Sequence, residues 1–357
     1  MNPPVTSVVM SVYNGQAFLA EAVESILNQT FRDFEFIIID DGSTDRTAEI
    51  LTEHERKDGR IRIHRQENNG RAASLNIGIE LAQGQYIARM DADDIALPSR
   101  LKAQLEFMER HPDVCVLGGA VELIDQQGDV LRTVHPPQED AEIQSRLLED
   151  NPMWHPTVMM RKEVASGADG YRKALLDADD YDLWLRISER SKLANLKAVV
   201  LRYRIHSSQA SVGNMRHQML CVFAARTAAI ARRRGGADPL SGIHEITPEL
   251  VHALGVTPLQ IRQSLLGACA YWTDLLSPSD PEAALRVIEG FLQSPEAASL
   301  DRPALADVWL KAARLHYKQG RPSKAISSLG HALLTRPVVA GRHVKRALTR
   351  LAAALKG

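Results

Sequence analysis

The chain has 357 residues, more than one hydrophobic core usually serves, so two domains are the prior expectation. It is 45% hydrophobic and 24% charged, ordinary for a globular protein, and its net charge of -1 sets aside a dedicated nucleic-acid binder. That charge is unevenly placed: from Arg202 onward there are 21 Lys/Arg against 10 Asp/Glu, or +11, which leaves -12 for residues 1–201. Cys115, Cys221 and Cys269 are scattered, lack metal-ligand spacing and fit a reducing compartment. Met1 to Thr6 lack the basic start and apolar core of a signal peptide, and no window approaches the ~18 apolar residues of a membrane span. A cytoplasmic location is expected.

Two periodicities alternate over the first 120 residues. Ser7–Val12 is an apolar run of buried-strand type, and Ala17–Asn28 carries apolar residues at helical spacing. Phe34–Ile39 reads as a strand, Thr44–Lys57 as a helix, Ile61–His64 as a strand and Arg71–Ala82 as a helix. Tyr86–Met90 and Ser99–Arg110 complete a fourth strand and helix. The rhythm implies an α/β fold, a mostly parallel sheet flanked by helices. From Val114 to Arg204 the pattern is less regular, with short runs at Val114–Leu117, Thr157–Met160 and Ala198–Tyr203 and helices near Glu139–Leu148 and Tyr181–Ser188. Beyond His206 helical spacing dominates, so residues 213–357 are expected to form a small all-α domain behind a first domain of residues 1–212. Residues 305–337 resemble one tetratricopeptide hairpin, and a second, weaker hairpin is read over Ile261–Leu292.

Ligands of such sheets sit beyond the carboxyl ends of the strands. Here those ends carry Tyr13-Asn14, Asp40-Asp41 and Asp91-Ala92-Asp93-Asp94. In an extended chain residues i and i+2 project to one side, so Asp91 and Asp93 can face one pocket. Their repulsion is relieved by a divalent cation, and hard oxygen ligands suit Mg2+ or Mn2+ shared with substrate phosphates. A solvated acidic turn would carry the same residues, and this tetrapeptide alone does not separate the two.

The other strand ends shift the weight toward the metal reading. Ser7–Asn14, Ser25–Phe31, Phe36–Asp45, Asn69-Gly70 ahead of Asn76, Met90–Asp94 ahead of Pro98, and Asp179–Arg186 resemble, in order and spacing, the family-2 glycosyltransferases of GT-A fold. The resemblance covers about residues 5–210. It implies an inverting, metal-dependent transferase acting on a nucleotide-sugar donor and a glycan or glycolipid acceptor. By it, Ser11 and Tyr13 line the base and ribose end of the nucleotide, and Asp41 accepts from the imide N–H of uracil or thymine. Ser43 or Thr44 is also expected to cap the following helix. Asp91 approaches the ribose or metal, and Asp93 ligates Mn2+ or Mg2+. Asp94 is expected as a supporting or turn residue. Asp180 matches the position of the catalytic base, beside Asp179 where the family usually has Glu and close to Asp177. An acidic first turn complementing the helix dipole accounts for the same residues. His206 matches a histidine near the diphosphate or metal, with an ordinary loop histidine as the alternative. Trp154 and His155 are expected at the acceptor pocket, with a packed structural role for His155 as the alternative. Arg71, one of 43 basic residues, is expected to reach the phosphates.

Arg342–Lys356 sets Val344, Leu348, Leu351 and Leu355 on one stripe with basic residues off it. Such a helix either packs on the body or brings the enzyme peripherally to the inner face of a membrane. The helical domain is also a candidate surface for a protein partner. Two other functions fit parts of this pattern. A sugar-nucleotide pyrophosphorylase needs a basic Gly-rich loop after the first strand, whereas no basic residue precedes Arg32. A non-catalytic scaffold with a degenerate transferase domain is the other, and with all the candidate carboxylates present the sequence offers no reason for inactivity.

Overall fold

The structure is a computed structural model that describes residues 3–176, 178–209 and 213–335. The basic stretch 342–356, Asp177 and the end of the expected hairpin lie outside the described residues. Contacts divide the chain into two units, the first comprising Met1–Ile205 with Leu220–Leu254 and the second His206–Met219 with Gly255–Gly357.

The first unit is built on a nine-stranded sheet. Its opening strands are β1 (Thr6–Val12), β2 (Phe34–Asp40), β3 (Ile61–Arg65) and β4 (Tyr86–Met90). Between them run α1 (Leu19–Leu27), α2 (Thr47–Lys57) and α3 (Arg71–Leu81). β2 is buried along its whole length and β1 along all but Ser11, as expected of strands covered on both faces. The parallel order β3-β2-β1-β4 places Val12 beside Asp40 and Met10 beside Met90. The residues after Val12, Asp40 and Met90 therefore emerge along one edge.

Beyond β4 the sheet is mixed. It continues through β8 (Met159–Arg161), β6 (Val114–Ile124), β9 (Lys192–Arg204) and β5 (Ile95–Ala96), with β7 (Val130–Val134) paired to β6. β8, β7 and β5 pair antiparallel, whereas β6 and β9 run parallel with register shifts. β6 runs past the Leu117 end expected of it because Gly118 is a packing site: a Cβ there would lie 2.1 Å from the Asn195 side-chain oxygen on β9. The helices of this half are α4 (Arg100–Arg110), α5 (Asp140–Arg146), α6 (Lys162–Gly167) and α7 (Asp179–Ile187).

A single break after residue 212 does not describe the division. Residues 220–254, which include most of α8 (Met215–Arg233) and α9 (Pro248–Ala253), belong to the first unit. Arg232 pairs with Glu189 and Asp238, Arg226 donates to the Glu149 carbonyl, and Arg233 donates to Gln144 and Ser188. These arginines explain why part of the basic rear belongs with the acidic front.

In the second unit, α10 (Pro258–Leu276), α11 (Pro281–Leu292), α12 (Pro295–Ala298), α13 (Arg302–Lys318) and α14 (Pro322–Thr335) follow one another. Thr257, Asp280, Ser294 and Asp301 each cap a helix whose first or second residue is proline, a start signal that satisfies orphan N–H groups without losing a bond. α13 and α14 pack as a hairpin, with Trp309 stacked on His331 at 4.5 Å and Ala313 buried with Leu329. Among the described residues no helix is long and apolar enough to cross a membrane.

Gly84 sits where a Cβ would lie 2.6 Å from the Ser7 amide nitrogen, and its own N–H donates to Ser7 Oγ at 2.8 Å. Gly84→Ala is expected to destabilise the first unit by about 1–3 kcal/mol, read as a lower denaturant midpoint; an unchanged midpoint would refute that packing.

Candidate active site

The edge beyond β1 and β2 is a cross-linked pair of loops. Asn14 and Gln16 donate from their amides to Ser43 Oγ and Asp45, while Thr44 and Arg46 donate back to the Asn14 and Gln16 side chains. Gly15 N–H reaches Thr47 Oγ1 at 2.9 Å. Ser43 and Thr44 are thus engaged with the β1 loop, and neither caps α2, which shows no side-chain cap. Tyr13 stands 54% exposed on this edge and Ser11 is half-buried.

Asp41 lies at the floor, 2% exposed. Its Oδ1 accepts from Gln66 Nε2 at 2.7 Å and Asn69 N–H at 2.9 Å, and its Oδ2 accepts from Gly70 N–H at 2.9 Å. A carboxylate accepts about four bonds, so roughly one position is left for a further donor.

Asp91, Asp93 and Asp94 bring one carboxylate oxygen each within 4.8 Å of one another. Two arginines hold them. Arg89, buried in β4, reaches Asp91 Oδ1 at 2.5 Å. Arg204, at the end of β9, donates from Nε to the Asp93 carbonyl and from its backbone N–H to Asp94 Oδ1, both at 2.9 Å. The same guanidinium reaches the Asp125 and Gln126 carbonyls and Glu21, and lies over the Phe18 ring at 4.6 Å. Asp94 is buried with Oδ2 unpartnered, and burial, then the charges of Asp93 and Asp91, push its pKa well above the usual carboxylate range. A buried oxygen without a donor beside two further carboxylates fits a hard divalent cation. Asp94 thus belongs to the cluster rather than merely supporting its turn.

The second acidic group opens α7. Asp179 is fully buried and accepts from Arg71 in a two-pronged ion pair, with Arg71 also donating to the Leu176 carbonyl at 2.8 Å. Arg71, expected at the phosphates, is instead engaged with this loop. Asp180 is half-buried and accepts from Asn151 Nδ2 at 3.0 Å. Burial and the Asp179 carboxylate push its pKa up to about 6, against the opposing pull of Arg71. Asn76 fixes the approach to this loop through paired bonds with the Tyr171 backbone, both 2.8 Å.

The histidines lie elsewhere than at an open pocket wall. His155, expected at the acceptor, is an interior residue: Nε2 meets the Tyr171 hydroxyl at 2.9 Å, and the ring packs edge-on to Trp184. Burial holds its pKa well below the ordinary value, so it is a neutral packing group. Trp154 is half-buried and edge-on to Tyr203 at 5.1 Å. His206 falls in the second unit, buried, with Nδ1 at 2.8 Å from Ser208 Oγ.

The structure adds Arg204, Arg89 and Asn151 to the site. The spacing of Arg89 two residues before Asp91 was a usable signal, whereas nothing near Asn151 announced it. Asp180 should half-titrate near pH 6 by carboxyl-selective NMR, and Asn151→Ala should move the midpoint higher, because the lost bond favours the ionised form. A wild-type midpoint close to 4, the ordinary aspartate value, would overturn this assignment.

Known proteins resemble this chain in sequence and in fold. A family model described as glycosyl transferase family 2 matches residues 7–167. An uncharacterized glycosyltransferase of Methanocaldococcus jannaschii is 37% identical over 225 residues, covering 62% of this chain and 77% of that protein. The O-antigen biosynthesis glycosyltransferase WbnJ of Escherichia coli is 34% identical over 205 residues, 56% of this chain and 80% of WbnJ. Among solved structures, S. aureus TarS 1-349 superposes with a TM-score of 0.50 at 17% identity, over 94% of this chain and 92% of that one. The likeness to TarS shows a shared fold, and the curated relatives show more: the chain belongs to glycosyl transferase family 2.

Proposed function

We propose that the chain is an inverting transferase that moves a sugar from a UDP- or dTDP-sugar to a hydroxyl of a glycan or lipid-linked saccharide, in cell-surface polysaccharide synthesis. One observation carries the reading. Within the first unit Asp91, Asp93 and Asp94 set one carboxylate oxygen each within 4.8 Å of one another, and Asp180 stands beside the buried Asp179 that Arg71 pairs with. A candidate cation site and a candidate base, the two groups this chemistry needs, therefore occur in the same unit. The kinship with WbnJ, an O-antigen biosynthesis enzyme, supports a saccharide acceptor.

In this reading Tyr13 and Ser11 bound the nucleotide base and ribose, and the open position on Asp41 receives an N–H of the base. Asp91 serves the ribose side. Asp93 and Asp94 would hold Mn2+ or Mg2+, with Arg89 and Arg204 fixing the loop. Such a cation supplies Lewis-acid neutralisation of the leaving diphosphate. Asp180 takes the acceptor hydroxyl proton as that oxygen bonds to the anomeric carbon and the bond to the diphosphate oxygen breaks. Its raised pKa brings the base closer to working pH, while Asn151 keeps the ionised form favoured. Trp154 offers a partly open ring face to an acceptor sugar.

Asp180→Asn should lower transfer by about 10^2–10^4-fold while leaving UDP binding intact. Because the base acts ionised, wild-type transfer should fall as pH drops through about 6 rather than near 4. Transfer unchanged in Asp180→Asn would remove Asp180 from the reaction. Mn2+-supported UDP binding, followed by calorimetry, should weaken by about 10–100-fold in both Asp93→Asn and Arg204→Ala. Binding in the two variants equal to wild type would refute the metal assignment.

A further inference from the structure

Residues 172–175, 240–244 and Ile246 of the first unit line an open cavity of about 360 Å³ that the site above does not use. Its floor is aliphatic, with Leu175, Leu240 and Ile246 buried and Ile243 half-buried. Its rim carries the cations Arg172 and Lys173 together with His244, and no carboxylate is among the residues that line it. Arg172 is fixed by Asp238 at 2.5 Å and faces Asp182 at 3.6 Å. Behind the rim Arg186 pairs with Asp182, and Arg232 with Glu189 and Asp238. These three arginines balance three acids one for one. Lys173 and His244 are both exposed, and among the described residues neither has an ion-pair or hydrogen-bond partner.

An aliphatic floor beneath a cationic rim suits a ligand with an apolar face and an anionic group. A pyranose ring bearing a carboxylate or phosphate has both, whereas a small inorganic anion would leave the floor unused. The chain itself ties the cavity to the reaction. Asp180 follows Leu175 by five positions in the chain, which bounds their distance at roughly 18 Å, and Arg71, the partner of Asp179, also donates to the Leu176 carbonyl. That separation is within reach of an oligosaccharide.

We propose that this cavity is a subsite for an acidic sugar unit of the acceptor, held away from the hydroxyl that reacts. The proposal rests on the transferase reading above and names its acceptor class. Saturation-transfer NMR on the full chain, with methyl β-D-glucuronoside, glucose 6-phosphate and methyl β-D-glucoside as probes, tests it. One or both acidic sugars should bind at least about tenfold more tightly than the neutral one, and the preferred acid tells carboxylate from phosphate. The preference should vanish in the Lys173→Glu, His244→Glu double variant, whose exposed positions leave the fold intact, as its melting curve will show. Equal binding of all three probes, binding of none, a preference that survives in the double variant, or displacement of the acidic sugar by UDP would each overturn the proposal. A parallel titration with UDP and Mn2+ keeps the two readings apart. Its failure would sink the donor assignment without touching the acidic-sugar result.

Discussion

Carboxylates collected at one edge of a sheet repel one another, and burial raises the cost of each charge. In this protein Asp91, Asp93, Asp94, Asp179 and Asp180 meet that problem together, and three arginines answer it from three directions. Arg89 rises from the strand below, Arg204 closes in from the far strand, and Arg71 enters from the start of α3. Each brings a planar fork of donors, so each fixes a loop's direction as well as its charge. Compensation remains incomplete: Asp94 keeps an unpartnered oxygen, and Asp180 keeps a pKa pushed up to about 6. The leftover imbalance falls on the two groups whose proposed roles are to bind a cation and to accept a proton.

Much of this was legible before the fold was known. Strands such as Phe34–Asp40 carry unbroken apolar runs because both faces are covered, so the period and the environment agree. The carboxylates at strand ends were readable for the same reason, since edge position follows from the parallel order. What stayed hidden lies in the mixed half of the sheet. There Gly118-Gly119 looks like a breaker but makes room for Asn195 and Val200, so the strand is longer than its composition suggests. Arg204 was hidden for another reason: 110 residues separate it from Asp94, and a single chain without partners does not display such a pairing. His155 shows the opposite failure. A histidine beside tryptophan suggests a sugar site, but burial against Tyr171 and Trp184 makes it a packing residue.

Arg71 deserves its place for a different cause than the one its sequence suggested. A basic residue opening a helix after Asn69-Gly70 reads as a phosphate ligand, yet its bonds go to Asp179 and Leu176. Gly70, one residue earlier, gives its N–H to Asp41. One short segment thus touches the proposed base-recognition group with its backbone and the proposed catalytic loop with its side chain. Disturbing either end is transmitted across two residues of chain.

The reciprocal bonds between Asn14 and the pair Ser43 and Thr44 have a consequence for how this surface can change over generations. Asn14 adopts a left-handed backbone, φ 52°, and its side-chain oxygen serves as the anchor for the opposite loop. Neither loop can lengthen or exchange its polar residues alone without stranding the other's amide groups. Changes in what this corner recognises would therefore call for paired substitutions on the two loops.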